Sequence, residues 1–275
     1  MEVLENIVKG HYGVADLGKN ILDGLAATGK DLDNLTVEDL STVDEFHIGG
    51  RSATEYAISK MSLSGNEHVL DVGCGIGGAA RTIASQTGCR VSGIDLTPEY
   101  VDVAATLTRL TRLEAKTRFH TASALSMPFD DNTFDAAITV HVSMNIEDRD
   151  ALYTEIARVM KPQARLCIYD VMKKGDEPIV FPVPWAVSAE SSHLRTPEEV
   201  SALLQDCGFE VIEVEDRTEF ANAYFDRRMA ASTGTPSPLG PHLVMGPSAP
   251  EKIKNIKHNV GSGRAAPVQI IAVRT

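Results

Sequence analysis

Short apolar runs alternate with amphipathic stretches along most of the chain. From His68 onward the runs have the length of buried strands, and the stretches between them have helical spacing. Strands are predicted at His68–Val72, Arg90–Asp95, Thr117–Thr121, Phe134–Val140, Arg165–Val171, Glu210–Glu215 and Pro267–Val273. Helices are predicted at Gly78–Gln86, Pro98–Leu113, Arg149–Met160 and Pro197–Asp206. This alternation indicates a doubly wound α/β fold with a mostly parallel sheet of seven strands.

Two segments interrupt the alternation. Residues 1–60 have helical periodicity and no strand pattern, and Thr36 is typical of a helix N-cap. They predict an N-terminal helical cap, with residues 61–275 as the main domain. Residues 219–264 predict a helical insertion before the last strand, with helices at Glu219–Ala231 and Glu251–His258. We expect this insertion to form a wall of a substrate pocket or, equally, a packing or dimer element.

A glycine-rich turn after the first strand carries the strongest chemical signal. Asp71 ends the apolar run, and Gly73, Gly75 and Gly77 follow at alternate positions. Glycine tolerates positive φ and close backbone approach, so such a turn aims the N–H groups of the following helix at a ligand. Asp95 ends the second strand, where a carboxylate can accept from both hydroxyls of a ribose. The pattern predicts a nucleoside site beyond the carboxyl ends of the strands.

The same turn also satisfies G-x-G-x-x-G, so a dinucleotide site is one alternative. Three features favour S-adenosylmethionine (SAM) over a dinucleotide. Asp71 stands two residues before the first glycine, where it could accept from a cationic amine or from loop amides. Gly77 adds a third alternate glycine, and Thr97-Pro98 begin a helix soon after the second strand. A purely structural turn without a ligand is the other alternative.

At these residues the chain resembles the class I SAM-dependent methyltransferases. The likeness is specific between Leu63 and Met172 and looser up to Thr275. Within that family it is similar to a small-molecule branch that includes the sarcosine/dimethylglycine, sterol and quinone-type enzymes. The resemblance implies a Rossmann-like sheet whose last strand is antiparallel and inserted between two others. It also implies SAM as cofactor, S-adenosyl-L-homocysteine as product and a small-molecule methyl acceptor.

The resemblance assigns the cofactor residues. In the family that this chain resembles, the residue that corresponds to Asp71 steadies the glycine loop and binds the methionyl amine of the cofactor. Relatives usually carry an acid at the position of Ser123 that accepts from the adenine amino group. A hydroxyl can accept but brings no charge, so we expect a weaker contact there, or one shifted to the backbone of Ala124 or Leu125. The expected cofactor residues are Asp71, Gly73, Gly75, Gly77, Asp95, Leu96, Ser123, Ala124, Leu125 and His141.

Histidines supply the candidate catalytic base. His141 follows the fourth strand, which should place it over the sulfonium, and a neutral imidazole suits general-base work near pH 7. His193 is the second candidate, and a histidine satisfied by backbone is the alternative for either. Trp185 could offer a cation–π face to an ammonium or anchor a loop to the core. The expected substrate residues are Tyr12, Phe46, His47, Asn145, Trp185 and His193.

The expected reaction is in-line methyl transfer to nitrogen of an amino acid or amine, by likeness to the sarcosine/dimethylglycine group. Oxygen or carbon methylation of a phenol, quinone or other natural product is the rival. A protein that binds SAM without catalysis is an alternative of a different class. The histidines are scattered and no ligand cluster stands out, so no metal site is expected.

Composition narrows the class of partner. A chain of 275 residues can bury a core within one large domain, and its formal net charge of −12 disfavours nucleic-acid backbones. No apolar run reaches the length of a membrane span, and the N-terminus lacks a signal-peptide pattern, so we expect a cytoplasmic protein without a membrane partner. The four cysteines form no C-x-x-C pair and are expected to be free thiols, with a redox role for Cys74 as the alternative. A homodimer is possible.

Overall fold

A seven-stranded sheet forms the centre of the protein, in a computed structural model that describes residues 16–231 and 237–275. The strands are β1 (His68–Val72), β2 (Arg90–Asp95), β3 (Thr117–Thr121), β4 (Phe134–Val140), β5 (Met160–Lys173), β6 (Phe209–Asp216) and β7 (Ala265–Arg274). Their order is β3-β2-β1-β4-β5-β7-β6. Strands β1 to β5 pair in parallel, whereas β7 lies between β5 and β6 and is antiparallel to both. The predicted fold class and the inserted last strand are confirmed.

Helices cover both faces of the sheet. They are α1 (Leu17–Ala27), α2 (Val37–Asp44), α3 (Arg51–Lys60), α4 (Gly78–Thr87), α5 (Pro98–Leu110), α6 (Arg149–Val159), α7 (Pro197–Asp206), α8 (Thr218–Ala230), α9 (His242–Met245) and α10 (Ala249–Gly261). Helices α6 and α7 pack against one face through residues such as Ile156 and Leu204. Helices α3 and α4 cover the other face through residues such as Ile58 and Ile83. Across the described residues, no helix has both the length and the apolarity that a membrane span requires.

Local sequence signals explain most helix boundaries. Thr36 caps α2 and exchanges hydrogen bonds with Asp39, which forms a capping box. Thr97 occupies the N-cap position of α5, as predicted, but its side chain makes no capping bond. Instead, Asp95 Oδ1 accepts from the Thr97 N–H at 2.9 Å. The carboxylate at the end of β2 therefore caps the turn that leads into α5.

Several predicted boundaries differ from the structure by one to five residues, and two of these differences have an identifiable cause. Helix α5 ends at Leu110 and not at Leu113, because Arg112 lies in the left-handed region with φ 59°. Strand β5 begins at Met160 and not at Arg165, since Met160 pairs with β4 before a register shift. Local periodicity carries no information on either feature.

The described part of the cap, α1 to α3, packs onto α4 and α5. Leu17, Ile21 and Leu25 of α1 share a buried apolar cluster with Val103 and Leu107 of α5. Within residues 16–231 and 237–275 all cysteines are free, and Cys74 is buried with its pKa well above the usual value because of that burial. Such a thiol is poorly suited to redox chemistry.

A buried ion pair ties the cap to the sheet. Arg81 of α4 is fully buried, and its Nη2 donates to Asp44 Oδ1 at 2.6 Å and to the Ile76 carbonyl at 2.7 Å. Its Nη1 donates to the Ala104 carbonyl and to Thr108 Oγ1 of α5 at 3.2 and 3.1 Å. One guanidinium thus joins the end of α2, the glycine turn, α4 and α5.

Arg81→Met should lower the free energy of unfolding by about 3–5 kcal/mol, because the variant leaves the Asp44 carboxyl buried and unpaired. Denaturant unfolding of the ligand-free protein measures the loss. Adding Asp44→Asn to Arg81→Met should recover much of it, since neither position of the pair then carries a charge. Lys174→Met, which breaks the exposed pair with Asp216, is the control and should change stability little. A single-variant loss no larger than the control would contradict the role of this pair.

Candidate active site

A large cavity opens beyond the carboxyl ends of the parallel strands, with a volume of about 1040 Å³. It lies where ligands bind in open α/β sheets. Most of the residues predicted to bind cofactor or substrate line it: Phe46, His47, Asp71, Gly73, Gly75, Asp95, Leu96, Ser123, Ala124, Leu125, His141, Asn145 and Trp185. Gly77 and His193 do not line it, and Tyr12 lies outside the described residues.

The glycine turn has no room for a side chain at its first glycine. Gly73 has φ 72°, and a Cβ at this position would lie 2.4 Å from Val142 Cγ2 of the loop after β4. Gly75 donates its N–H to Asp95 Oδ2 at 2.9 Å, so the two halves of the motif are joined directly. The absence of side chains here brings the backbone of the turn against the loop after β4 and leaves a cradle at the cavity wall.

Gly77 lies on the side of the turn that faces away from the cavity lining. It lies at the N-cap of α4 with φ 86°, and a Cβ there would lie 2.7 Å from Arg81 Nη1 and 2.9 Å from the Phe119 ring. Its position away from the cavity argues against direct contact with a ligand. Its absent side chain leaves room for the buried guanidinium under the turn.

Asp71 is the most constrained group of the site. The residue is 1% exposed, and its Oδ2 has no hydrogen-bond partner among the described residues. Burial, and then the negative charges of Glu45 and Asp95, raise its pKa to about 7. A carboxylate that is sealed and incompletely paired is destabilised unless a donor or a cation approaches it. Such an environment favours a positively charged ligand at this end of the cavity.

Further carboxyl groups crowd the same end. Glu45 is 3% exposed, accepts from Thr54 Oγ1 at 2.7 Å, and has a raised pKa because of burial. Burial also raises the pKa of Asp44 to about 6, although Arg81 opposes this shift. Burial raises the pKa of Asp95, although hydrogen bonds that its carboxylate accepts from the Thr97 and Gly75 N–H groups oppose this shift. Four carboxyl groups therefore surround the glycine turn with one buried guanidinium among them.

Ser123 closes a tight turn after β3. Its Oγ accepts from the Leu125 N–H at 3.1 Å, and Ser123 and Ser126 form an isolated antiparallel bridge. The hydroxyl thus shapes the turn that presents Ala124 and Leu125 to the cavity. Because the Leu125 N–H is already engaged, a shifted contact to an adenine would use the carbonyl groups of this turn.

His141 protrudes from the loop after β4. Its φ of 55° places it in the left-handed region, which is uncommon for a residue with a side chain and often marks a functional position. Its Nε2 has no hydrogen-bond partner among the described residues. Burial, and then the neighbouring His47, hold its pKa well below the usual value. The imidazole is therefore neutral at pH 7, as a general base requires.

Asp170 holds the loop that carries His141. Its Oδ1 accepts from the Val142 N–H at 2.8 Å, and its Oδ2 accepts from the Ser143 N–H and hydroxyl. The His141 N–H itself donates to the Tyr169 carbonyl at 2.8 Å. Residues at the end of β5 thus determine where His141 lies.

His47 comes from the cap and meets His141 edge to face, with ring centroids 5.6 Å apart. Its Nε2 lies 3.2 Å from the Gly50 carbonyl and 3.1 Å from Thr54 Oγ1. Burial lowers its pKa to about 4, so this ring is also neutral at pH 7. His47, His141 and Tyr169 form an aromatic cluster, of which the two histidines line the cavity.

The other predicted substrate residues differ in their surroundings. Trp185 is 3% exposed and donates from Nε1 to Ser192 Oγ at 2.9 Å, so it anchors its loop while one part lines the cavity. Asn145 Nδ2 donates to the Val142 carbonyl within its own turn. His193 holds Met144 and Arg149 through its backbone, which is a structural role for that loop.

Sequence reasoning missed several residues of the site. Asp170 follows a run of apolar residues within β5, as Asp71 does in β1 and Asp95 in β2, and that shared pattern could have identified it. Asp44 and Glu45 directly precede Phe46-His47, but no local pattern predicts that two adjacent acids are buried. Arg81 lies on a helix with ordinary spacing and gives no signal of its contacts.

Comparison with known proteins agrees with this geometry. Residues 70–168 match a family model described as a methyltransferase domain. Methyltransferase GfsG from Streptomyces halstedii is 29% identical over 184 residues, which is 66% of each chain. Norajmaline N-methyltransferase from Rauvolfia serpentina is 32% identical over 51% of this chain and 44% of its own length. Other relatives are named as O-methyltransferases and sterol C-methyltransferases. The match thus spans about two thirds of GfsG and under half of the N-methyltransferase.

Solved structures share the fold over the whole chain. A geranyl diphosphate C-methyltransferase from Streptomyces coelicolor A3(2), solved with Mg²⁺, geranyl-S-thiolodiphosphate and S-adenosyl-L-homocysteine, superimposes with a TM-score of 0.73. The comparison covers 100% of this chain and 99% of that chain at 19% identity, which supports the fold alone. Fold, glycine motif and matched domain lead to one conclusion: the chain belongs to the class I SAM-dependent methyltransferases, a family of enzymes that use SAM as cofactor.

Proposed function

We propose that this protein transfers a methyl group from SAM to a small-molecule acceptor. One observation carries the proposal: a sealed and incompletely paired carboxylate, Asp71, lies beside a side-chain-free turn at one end of a cavity of about 1040 Å³. Small-molecule sites occupy about 300–1,000 Å³. The cavity is large enough to hold a nucleoside cofactor and a second small ligand together.

The residues present fit this cofactor. SAM carries an ammonium and a sulfonium, and both positive charges oppose the excess of carboxyl groups at the glycine turn. Asp71 would accept from the ammonium, and Asp95 would accept from the ribose hydroxyls with the lone pairs that its two backbone contacts leave. The turn after β3, with Ser123, would face the adenine.

The protein contributes alignment, exclusion of water and a base. When bound, SAM supplies an activated methyl group, which the acceptor's nucleophilic atom takes by in-line displacement as the carbon–sulfur bond breaks and its electron pair stays on sulfur. Holding the acceptor in line can account for several kcal/mol of the barrier. His141, neutral and facing the cavity, would take the proton of an acceptor that carries one. The cap residues Phe46 and His47 help to wall the site from water.

Nitrogen stays our prediction for the acceptor atom. The prediction derives from the resemblance to the sarcosine/dimethylglycine group, whereas the relatives include enzymes named for N-, O- and C-methylation. Both the methyl transfer and the acceptor atom are tested by turnover of SAM with separate panels of amines, amino acids, phenols and quinones. Mass analysis identifies the products. We expect SAM-dependent methylation of one panel. Tight binding of SAM without turnover on any panel would favour the non-catalytic alternative.

His141→Gln should lower kcat by about 10²–10⁴-fold with acceptors that must lose a proton. A tertiary amine, which needs no proton loss, should be methylated by the variant at a rate close to that of the wild type. His193→Gln is the matched comparison and should have a much smaller effect, because His193 does not line the cavity. An equal loss with both acceptor types would show that His141 acts by shape and not as a base. Titration with S-adenosyl-L-homocysteine verifies that each variant is folded.

Binding of S-adenosyl-L-homocysteine should strengthen as the pH rises from about 6 to 8. The pKa of Asp71 is about 7 in the ligand-free protein, and only the ionised form attracts the ligand's ammonium. Below that pKa the affinity should fall by up to about tenfold per pH unit. Asp71→Asn should weaken binding by about 10–100-fold and flatten this dependence. Calorimetric titration across this range measures both.

The same variant has an opposite effect on stability. The folded pKa of Asp71 exceeds its unfolded value, so the folded state binds more protons and ligand-free stability falls as the pH rises through 7. Ligand-free Asp71→Asn should therefore melt at a higher temperature than the wild type at pH 8. A pH-independent affinity in the wild type, or a destabilised Asp71→Asn protein, would refute this account of the site.

A further inference from the structure

The charges that line the cavity are separated along the chain. Every carboxylate among the lining residues lies between positions 44 and 150, at the end of α2, near the ends of β1 and β2, and from the loop before α6 into its first turn. Every lysine and arginine lies between positions 228 and 257, on α8 and α10. The acidic members are Asp44, Glu45, Asp71, Asp95, Glu147, Asp148 and Asp150, and the basic members are Arg228, Lys252, Lys254 and Lys257. The segment that forms α8 and α10 therefore contributes every cation among the lining residues, and earlier segments contribute every carboxylate.

Lys252 differs from the other cations of this wall. It is 4% exposed, and its Nζ makes one hydrogen bond among the described residues, to the Met245 carbonyl at 3.2 Å. No carboxylate of that part of the chain lies within ion-pair distance of it. By contrast, Lys257 pairs with Asp226 at 2.9 Å and Lys254 is exposed. Lys252 is thus a buried ammonium with donors to spare.

A buried ammonium without an anion is costly. Burial alone lowers the pKa of Lys252, with no opposing contribution from a carboxylate. A lysine buried in this way is rare unless it is paired. The neutral carbonyl of Met245 satisfies one of three N–H groups and supplies no negative charge.

Buried apolar side chains line the same cavity, and five of the six share one apolar cluster that includes Ile256 of α10. They are Met144, Val171, Trp185, Phe225, Val244 and Ile256, all buried and all among the lining residues. A ligand that pairs with Lys252 would therefore lay its remaining surface against apolar walls. An isolated inorganic anion would leave these walls without contact.

We propose that the methyl acceptor is an amphipathic molecule whose anionic group, a carboxylate or a phosphate, binds Lys252 and whose apolar body contacts the surrounding walls. The identification of this ligand as the acceptor rests on the proposed methyltransferase function. The separation of charge gives each ligand its own region: the cofactor's cationic groups bind at the acidic turn, and the acceptor's anion binds at α10.

Matched ligands test the proposal in protein saturated with S-adenosyl-L-homocysteine. The probes are 3-phenylpropionate against 3-phenylpropanamide, and 2-phenylethyl phosphate against 2-phenylethanol, with dissociation constants from NMR titration. We expect the wild type to bind at least one anionic member about tenfold or more tightly than its neutral partner. The two arms distinguish a carboxylate from a phosphate. Inorganic phosphate alone should bind more weakly than 2-phenylethyl phosphate.

Lys252→Met is the decisive variant, because methionine replaces the ammonium with an apolar group of similar length. It should abolish the anionic preference and change S-adenosyl-L-homocysteine affinity by no more than about twofold. Lys252→Arg should retain the preference, and Lys257→Met, whose parent lysine is paired with Asp226, should alter it less.

Two results would overturn the proposal. One is a wild type that binds no anionic probe or shows no preference for it. The other is a folded Lys252→Met protein that keeps the preference, which would leave Lys252 a cap for the Met245 carbonyl alone. Failure of the methyltransferase function is separately visible: the anionic preference would then depend on Lys252 although no SAM turnover or S-adenosyl-L-homocysteine binding occurs.

Discussion

The buried guanidinium of Arg81 is the contact on which the cavity depends. It holds the end of α2, the carbonyl of Ile76 in the glycine turn and the side of α5 at one point. Gly77 and Gly78 lack side chains where Arg81 and Asp44 approach them. Since Glu45 and His47 follow Asp44 directly, the same anchor places the cap's contribution to the site. The cap, the glycine turn and α5 are therefore joined at one buried contact.

Electrostatics then divides the cavity. Around the turn, carboxyl groups are brought close together and away from water, which raises the pKa of Asp71 to about 7 and keeps the region unstable without a cation. The crowded carboxyl groups lower the stability of the folded protein and raise its affinity for a cationic ligand, as is common where a site is organised in advance. Helix α10 contributes Lys252, a buried ammonium with no carboxylate partner among the described residues. The acidic turn is suited to a cationic group and Lys252 to an anionic one, which is the basis of the two binding regions that we propose.

The sequence predicted the sheet well because most strands are short apolar runs between helical stretches, and β1 to β4 have the predicted bounds. The cofactor motif was equally readable, since Asp71 and Asp95 lie at strand ends that a parallel sheet brings together. No pattern in the sequence predicted that Asp44, Glu45 and Lys252 are buried. Whether a polar residue is buried depends on what other elements cover it, and that information is distributed over distant parts of the chain. His193 shows the reverse: a plausible residue type that does not line the cavity and that holds Met144 and Arg149 through its backbone.

The position of β7 has a consequence for biosynthesis. This strand follows every other strand in sequence, yet it fills the gap between β5 and β6. A nascent chain can assemble β1 to β5 on the ribosome, but β6 has no neighbour to pair with until Ala265–Arg274 has emerged. Helices α8 and α10, which carry the basic wall, pack against β7 and must wait as well. The part of the cavity around the glycine turn can therefore form during translation, whereas the wall from α8 and α10 can close only after β7 has emerged.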